Sequence, residues 1–315
     1  MCQDNVNSLF NSIAAQFVGT VIKSENGMNS LDLVKESKDK ANKHKWLYHC
    51  TTTNALFSII TQMEFWLSNL KCVNDKEEAK RINIHEYEST YYVSSFTYED
   101  NVLNEHWREY GSEDDGILIG VKKEWFKQDA VFMTSGGTKC CGHKIFLNRK
   151  LCEQKMLSDL LIENRITNPF YINSFDFYQV VYNDYLKRKV CGDGITFQDG
   201  KNCPAEFIVP EVAGIIKSCK GECKRNEKET YIKDWCSEKE VRLKVGIQQM
   251  RITPSGNPIY DGSIMKWAFF PKIAVPLTNN AFDQVRIRFS PNYSNKSECL
   301  RRIEKLLPSS KIEIL

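Results

Sequence analysis

Apolar residues recur at helical spacing near the start of the chain. Val6, Leu9, Phe10, Ile13, Phe17, Val21 and Ile22 predict an amphipathic helix over residues 5–23. Such a helix either packs on the body of the same protein or docks a partner. Residues 24–45 are polar and lysine-rich, are broken at Asn26-Gly27, and read as a linker with a weak helix around 31–40. From Trp46 the pattern changes to short apolar runs. Trp46-Leu47-Tyr48-His49-Cys50 reads as an aromatic strand. Thr52, Thr53 or Asn54 then caps a helix whose inner face is Leu56, Ile59, Ile60 and Met63. Phe65-Trp66-Leu67 is a second strand, 76–87 a charged helix, and 91–96 a third strand rich in aromatic and β-branched residues.

Further along, 104–110 is a helical turn with Trp107 and Tyr110 on one side, and 116–121 is a buried strand. Residues 144–163 read as a helix and 175–182 as an aromatic strand, while 191–228 is irregular. Residues 240–245 alternate as a strand. A strand at 284–289, an amphipathic helix at 296–307 and a short strand at 311–315 close the chain. There is no internal repeat. The expected division is an appendage of helix and polar linker over 1–45, and a single domain over 46–315.

Composition narrows the class without fixing the function. With 315 residues, 42% of them hydrophobic and 26% charged, the chain can bury a full core. A net charge of +3 neither requires nor excludes nucleic acid. The first residues, Met1-Cys2-Gln3-Asp4, lack a basic leader, and no apolar run is long enough to span a bilayer, so a cytoplasmic protein with no membrane partner is expected. Twelve cysteines are then expected to be reduced and mostly buried. Cys219 and Cys223 form one close pair, and Cys203 and Cys236 stand apart. Cys140-Cys141-Gly142-His143 is equally incomplete. Structural zinc sites use two tight pairs, so no metal is assigned.

The chemistry concentrates in two places. Glu238 and Glu240 sit two apart ahead of an alternating strand, so extended backbone would aim both carboxylates into one space. Two close carboxylates repel, and one member would titrate late. A fixed negative charge there would stabilise an oxocarbenium-like centre. The plainer reading of Glu238-Lys239-Glu240-Val241-Arg242 is a solvated strand edge. His49 and Thr51 share a face at the end of the first core strand, where an imidazole and a hydroxyl can bind a ribose diol. Tyr48, Trp66, Trp107 and Tyr110 offer rings for stacking on nicotinamide or adenine, or simply pack the core. The basic stretch 217–228 also carries Glu222 and Glu227 and reads as a solvated loop that could line a substrate path. No glycine-rich dinucleotide fingerprint or phosphate loop is present. A nuclease reading lacks a metal-binding carboxylate cluster.

The motifs occur in one order: Tyr48-His49-Cys50-Thr51, Leu67-Ser68-Asn69, Asn74-Asp75 with Glu78, Ser95-Phe96, Trp107-x-x-Tyr110 before Gly116, and Glu238-x-Glu240-Val241-Arg242. From Trp46 onward this series resembles a large bacterial family of uncharacterised proteins that opens with a Tyr-His-Tyr-Thr-type strand. That family is itself similar to the ADP-ribosyltransferase fold. The chain departs from it at Lys76 (commonly Pro), Glu109 (commonly His) and Glu64 (often Gly). The resemblance implies an α+β fold with a split, mixed β-sheet core, peripheral helices and an N-terminal helical appendage. It implies an NAD-dependent ADP-ribosyltransferase, a glycosyltransferase that uses NAD as co-substrate. Glu240 would be catalytic, and Glu238 would orient or deprotonate the acceptor. His49 and Thr51 would bind NAD together with Tyr48 and Ser95, and Tyr110 or Trp107 would stack on nicotinamide. The acceptor would be a macromolecule (RNA, DNA or protein) and the role that of a bacterial toxin or phage-defence effector, with an antitoxin or partner docking on the first helix. The alternatives are an NAD hydrolase, or a non-catalytic nucleotide-binding or partner-binding scaffold of the same fold.

Overall fold

Thr52 ends the first core strand and starts the first core helix. Its backbone is extended, and its Oγ1 accepts a hydrogen bond from the Ala55 amide at 3.4 Å, satisfying a donor that the helix start leaves unpaired. The helix buries Leu56, Phe57, Ile59 and Ile60 and stops at Met63, whose φ of 53° turns the chain back into a strand. The computed structural model describes residues 30–73, 91–128, 130–134, 144–148, 170–182, 195–196, 202–203, 214–224, 230–249, 251–252, 258–259 and 271–315. The expected helices at 5–23 and 76–87, and Asn74, Asp75 and Glu78, lie outside the described residues.

In chain order the elements begin with α1 (Ser30–Asn42), β1 (Leu47–Thr52), α2 (Thr53–Gln62), β2 (Glu64–Asn69), β3 (Tyr91–Thr97), α3 (Asn104–Tyr110) and β4 (Gly116–Val121). They continue with β5 (Ala130–Thr134), β6 (Lys144–Asn148), β7 (Phe170–Gln179), β8 (Val181–Tyr182), β9 (Ile195–Thr196), β10 (Asn202–Cys203), β11 (Ile216–Lys217), β12 (Lys220–Lys224) and β13 (Thr230–Asp234). The last are β14 (Glu240–Gln249), β15 (Arg251–Ile252), β16 (Pro258–Ile259), β17 (Lys272–Pro276), β18 (Gln284–Phe289), α4 (Lys296–Leu306) and β19 (Lys311–Ile314). The protein is thus α+β, with a mostly antiparallel sheet of 11 strands among the described residues; β18 and β19 add a parallel pair.

The sheet forks at β3. One edge of β3 pairs with β14 along its whole length, from Thr97↔Glu240 to Tyr91↔Gly246. The opposite edge is shared: β1 meets it only at Tyr48↔Thr97, and β2 only at Ser68↔Val93 and Asn69↔Tyr92. Between those points, along Ser94–Ser95–Phe96, β1 and β2 part. β1 leads outward to β4, β18 and β19, and β2 leads to β17, β5 and β6, while β14 continues to β7. The main core runs under both arms, through Leu47, Phe65, Leu67, Phe96, Ile119, Val241, Leu243, Ile273 and Ile287.

The weak helix expected around 31–40 forms as α1, and it packs on β7 rather than lying in a linker. Leu33 and Ala41 are buried, Ser37 Oγ donates to the Gln179 carbonyl at 2.7 Å, and Lys38 pairs with Asp176 at 2.5 Å. The helix is mostly polar, so one narrow face and its polar contacts to the sheet hold it. The helix expected at 144–163 is corrected at its start, because Lys144–Asn148 is a strand paired along its length with β5. Five residues are too few to separate the two periodicities, and the ladder supplies backbone partners.

Gly116 opens β4 against Trp107. A Cβ there would lie 2.3 Å from the Ser112 carbonyl oxygen and 2.9 Å from the Trp107 ring. Gly116→Ala is expected to cost about 1–3 kcal/mol of folding stability, measured by urea unfolding. An unchanged midpoint would mean that the backbone yields there freely.

Candidate active site

The cleft lies at the fork, where the parting of β1 and β2 leaves a space of about 360 Å³. Its walls include Tyr48, His49, Trp66, Ser95, His106 and Tyr110, and Lys217, Trp235, Glu238, Glu240 and Arg242 line it too. Where the β1–β3 ladder stops, the His49 ring takes over, and its Nδ1 lies 3.0 Å from the Ser95 carbonyl oxygen. A carbonyl can only accept, so Nδ1 carries the proton and Nε2 of the neutral ring is an acceptor. Burial outweighs that hydrogen bond and lowers the His49 pKa from the ordinary value, which favours the neutral ring.

The two glutamates converge by a different route from strand alternation. Trp235–Glu238 is a 3₁₀ turn capped by Asp234 Oδ1, which accepts from the Cys236 amide at 3.0 Å. Lys239 then adopts φ 47°, and β14 begins at Glu240. That left-handed residue, rather than extended backbone from Glu238, turns both carboxylates to one ammonium: Lys217 Nζ is 2.9 Å from Glu238 Oε2 and 3.2 Å from Glu240 Oε2.

These charges are deeply buried, with side-chain exposures of 3–5% for Lys217, Glu238, Glu240 and Arg242. Burial on that scale requires compensation. Arg242 donates through Nε to Glu240 Oε1 at 2.7 Å and through Nη1 to the Gly214 carbonyl at 2.9 Å. Lys233 lies 2.7 Å from Glu238 Oε1 and also pairs with Glu109, which accepts from the Tyr231 hydroxyl at 2.6 Å. Tyr110 donates its hydroxyl to Glu238. The ammonium groups of Lys217 and Lys233 lie 3.9 and 4.4 Å from the Trp235 ring centre.

The strand-edge reading of Glu238–Arg242 is therefore corrected, since β14 lies between β3 and β7 with its charged residues buried. Nor is Glu240 a late-titrating member of the pair. Burial opposes its charge, but Arg242, Lys217 and the hydrogen bonds from Arg242 and Ser95 prevail and hold the carboxyl well below the usual range. The solvated-loop reading of 217–228 also fails at its start, where Lys217 is buried and Lys220–Lys224 pairs with Thr230–Asp234.

Of the residues singled out in the sequence, Tyr48, His49, Ser95, Tyr110, Glu238 and Glu240 line the cleft. Thr51 and Trp107 do not. Thr51 is buried in the sheet, and Trp107 packs with Tyr48, Cys50 and Leu118. The stacking role expected of Trp107 is replaced by core packing, and the ring on the cleft side of α3 is Tyr110. Tyr48 receives a hydrogen bond from Arg286 Nη1 on its hydroxyl at 3.1 Å. Lys233, Trp235 and His106 had no assigned role, and Lys217 entered only as the start of the stretch that could line a substrate path. The signals were faint: an Ile215-Ile216 run before Lys217, and the alternation of Tyr231, Lys233 and Trp235.

Cys50 also reaches the cleft, but burial pushes its thiol up to about 12, so it is no thiolate nucleophile at neutral pH. Cys219 and Cys236, two members of the incomplete zinc pattern, are free thiols.

Comparison with protein-family models, with curated proteins and with solved structures finds no match. The reading of the cleft therefore rests on its own residues.

His106, tilted against the Tyr110 ring, carries a pH prediction. Burial, the largest cause, lowers it from 6.5 to about 4, with Glu238 opposing and Lys233 reinforcing. The unfolded chain binds that proton first on acidification. The stability is complete above pH 6.5 and is lost as pH falls toward about 4. Urea unfolding across that window is expected to show stability rising with pH, with a shallower slope in His106→Gln. An identical slope in the two proteins would remove His106 from the account.

Proposed function

We propose that the protein transfers ADP-ribose from NAD to a macromolecular acceptor, on an ADP-ribosyltransferase-like split sheet. The observation that carries this reading is the pair Glu238 and Glu240 closed around the Lys217 ammonium at the base of the cleft. Two carboxylates that hold one cation so closely suit the positive charge that develops on a ribosyl centre as nicotinamide departs. Glu240, kept ionised by Arg242, is the fixed negative charge in that reading, and it would also hold a ribose hydroxyl. Glu238 takes the proton from the acceptor nucleophile as that nucleophile bonds to the anomeric carbon. His49 would offer Nε2 to a ribose hydroxyl, and Tyr110, which lines the same cleft, would contact nicotinamide.

One observation favours a second reading. The half-buried carboxylate of Glu109 and the buried carboxylates of Glu238 and Glu240 are matched by the buried cations Lys217, Lys233 and Arg242, as in a structural ion-pair network. A non-catalytic scaffold that binds a nucleotide or a partner protein would keep such a network.

Labelled NAD incubated with the protein and a cell lysate, beside Glu240→Ala, separates these readings. Label in a nuclease-sensitive or protease-sensitive fraction, made only by the intact protein, is the expected result and would name the acceptor as nucleic acid or protein. Nicotinamide release without macromolecular label would make the protein an NAD hydrolase. No NAD consumption by the folded protein would leave the scaffold.

A further inference from the structure

The arm of the cleft formed by β2 and β17 carries residues that the carboxylate chemistry does not use. On β2, Phe65, Leu67 and Asn69 are buried, while Trp66 and Ser68 face the cleft. Trp66 is 36% exposed, an unusual position for an indole in a sheet. Its cross-strand partner on β17 is the small residue Ala274. On its other flank the β2–β3 ladder has already stopped, so the ring looks into the fork. Continuing the Ser68↔Val93 register by two residues would set Trp66 opposite Ser95, whose hydroxyl bonds Glu240. The indole therefore borders the carboxylate site.

Lys272 supplies a charge beside that ring. It lies directly opposite Ser68 and diagonal to Trp66, and it lines the same cleft. Diagonal neighbours on one face of a sheet are roughly 7–8 Å apart, a span that a nucleoside 5′-phosphate covers from base to phosphate. Lys272 is exposed and has no ion-pair partner among the described residues, unlike the buried cations around Glu238 and Glu240.

We infer that Trp66, Ser68 and Lys272 form a nucleoside-phosphate platform, with the base stacked on Trp66 and a phosphate held by Lys272 and Ser68. This deepens the proposed function, because it assigns the adenosine diphosphate half of the co-substrate to the β2–β17 arm and the ribosyl–nicotinamide half to the carboxylates. Stacking on an aromatic side chain and a charge-assisted phosphate contact are additive in kind and separable by mutation.

The test is calorimetric titration of ADP into the intact protein, Trp66→Ala, Trp66→Phe and Lys272→Ala, with urea unfolding of each as the fold control. Trp66→Ala is expected to weaken ADP binding roughly tenfold, as loss of one base stack does, while Trp66→Phe restores most of it. Lys272→Ala is expected to weaken it by about tenfold as well, through the lost charged contact. Lys272 is exposed, so that variant stays informative even if a Trp66 variant folds poorly. Failure of the intact protein to bind ADP, or equal affinity in intact, Trp66→Ala and Lys272→Ala proteins, would overturn the platform. So would binding of a single-stranded hexanucleotide that Trp66→Ala weakens while ADP affinity stays unchanged. The ADP pattern in a protein that consumes no NAD would leave the platform standing and remove the transfer reading. NAD consumption with ADP binding insensitive to both substitutions would do the reverse.

Discussion

Arg242→Met is expected to lower folding stability by about 3–5 kcal/mol, because it strips a buried carboxylate of its principal partner. Arg242 and Glu240 are both almost fully buried, joined at 2.7 Å through Nε and at 3.3 Å through Nη2. Removing the guanidinium leaves Glu240 to the Ser95 hydroxyl and to Lys217, which Glu238 already shares, and frees the Gly214 carbonyl that Nη1 had satisfied. Methionine fills much of the volume, so the loss would be electrostatic in origin. Glu240→Met with Arg242→Met should recover a large part of it, since an apolar pair replaces the ion pair and no charge is stranded. Urea unfolding of the two variants and the parent measures this directly. A loss below about 0.5 kcal/mol in the single variant, the size expected of ordinary surface changes, would show that Glu240 finds other compensation. The pH dependence has a fixed sign. The folded carboxyl of Glu240 is held below its ordinary value of 4.5, so its contribution is complete above that value and is lost as pH falls below it. The gap between parent and Arg242→Met should therefore narrow in acid.

The sequence pattern made most of the strand frame legible because each strand carries its own apolar signature. The runs at 91–96, 116–121 and 284–289 lie within or coincide with β3, β4 and β18. The helix at 296–307 matches α4 to one residue, because Cys299 and Ile303 fall on one buried face. Forking of the sheet was not legible. It depends on where the β1 and β2 ladders stop along β3, and ladder length is set by tertiary pairing rather than local composition. The site divides in the same way. Glu238 and Glu240 were legible as a pair, but the device that joins them, a lysine at φ 47°, contradicts local preference, since a left-handed lysine is strained. Lys217 and Lys233 were illegible for a related reason. A lysine in a polar stretch looks solvated, and only the fold places an ammonium within 3 Å of Glu238 from each of β11 and β13. Glu109 illustrates the converse. It stood in no candidate site read from the sequence, yet it is tied to Lys233 and Tyr231 as part of the same network.

Glu240→Gln and Glu238→Gln are expected to fail in different ways. Glu240 is the member whose charge the surroundings fix, through Arg242, Lys217 and the Ser95 hydroxyl. If negative charge beside the ribosyl centre drives bond loosening, its amide should slow nicotinamide release by about 10²–10³-fold, and hydrolysis and transfer should fall together. Glu238 is tied to groups that carry protons: the Tyr110 hydroxyl, Lys217 and Lys233 all approach its oxygens. Burial and the Glu238 charge raise the Tyr110 pKa above its ordinary value, so the phenol stays protonated and donates. In the proposed reaction Glu238 is the carboxylate assigned to the proton of the acceptor hydroxyl or amine. Its amide should leave nicotinamide release within about tenfold of the parent while macromolecular labelling falls by about 10²–10⁴-fold, the usual range for a lost general base. Glutamine preserves shape but keeps one acceptor oxygen at either position and sets an amide NH₂ donor where the second carboxylate oxygen accepted, so urea unfolding run beside the assays separates a folding loss from a chemical one. The reverse pattern, with release lost in Glu238→Gln and kept in Glu240→Gln, would exchange the two roles. Equal loss of both readouts in both folded variants would mean that the carboxylates act as one unit around the developing cation, as they already do around the Lys217 ammonium.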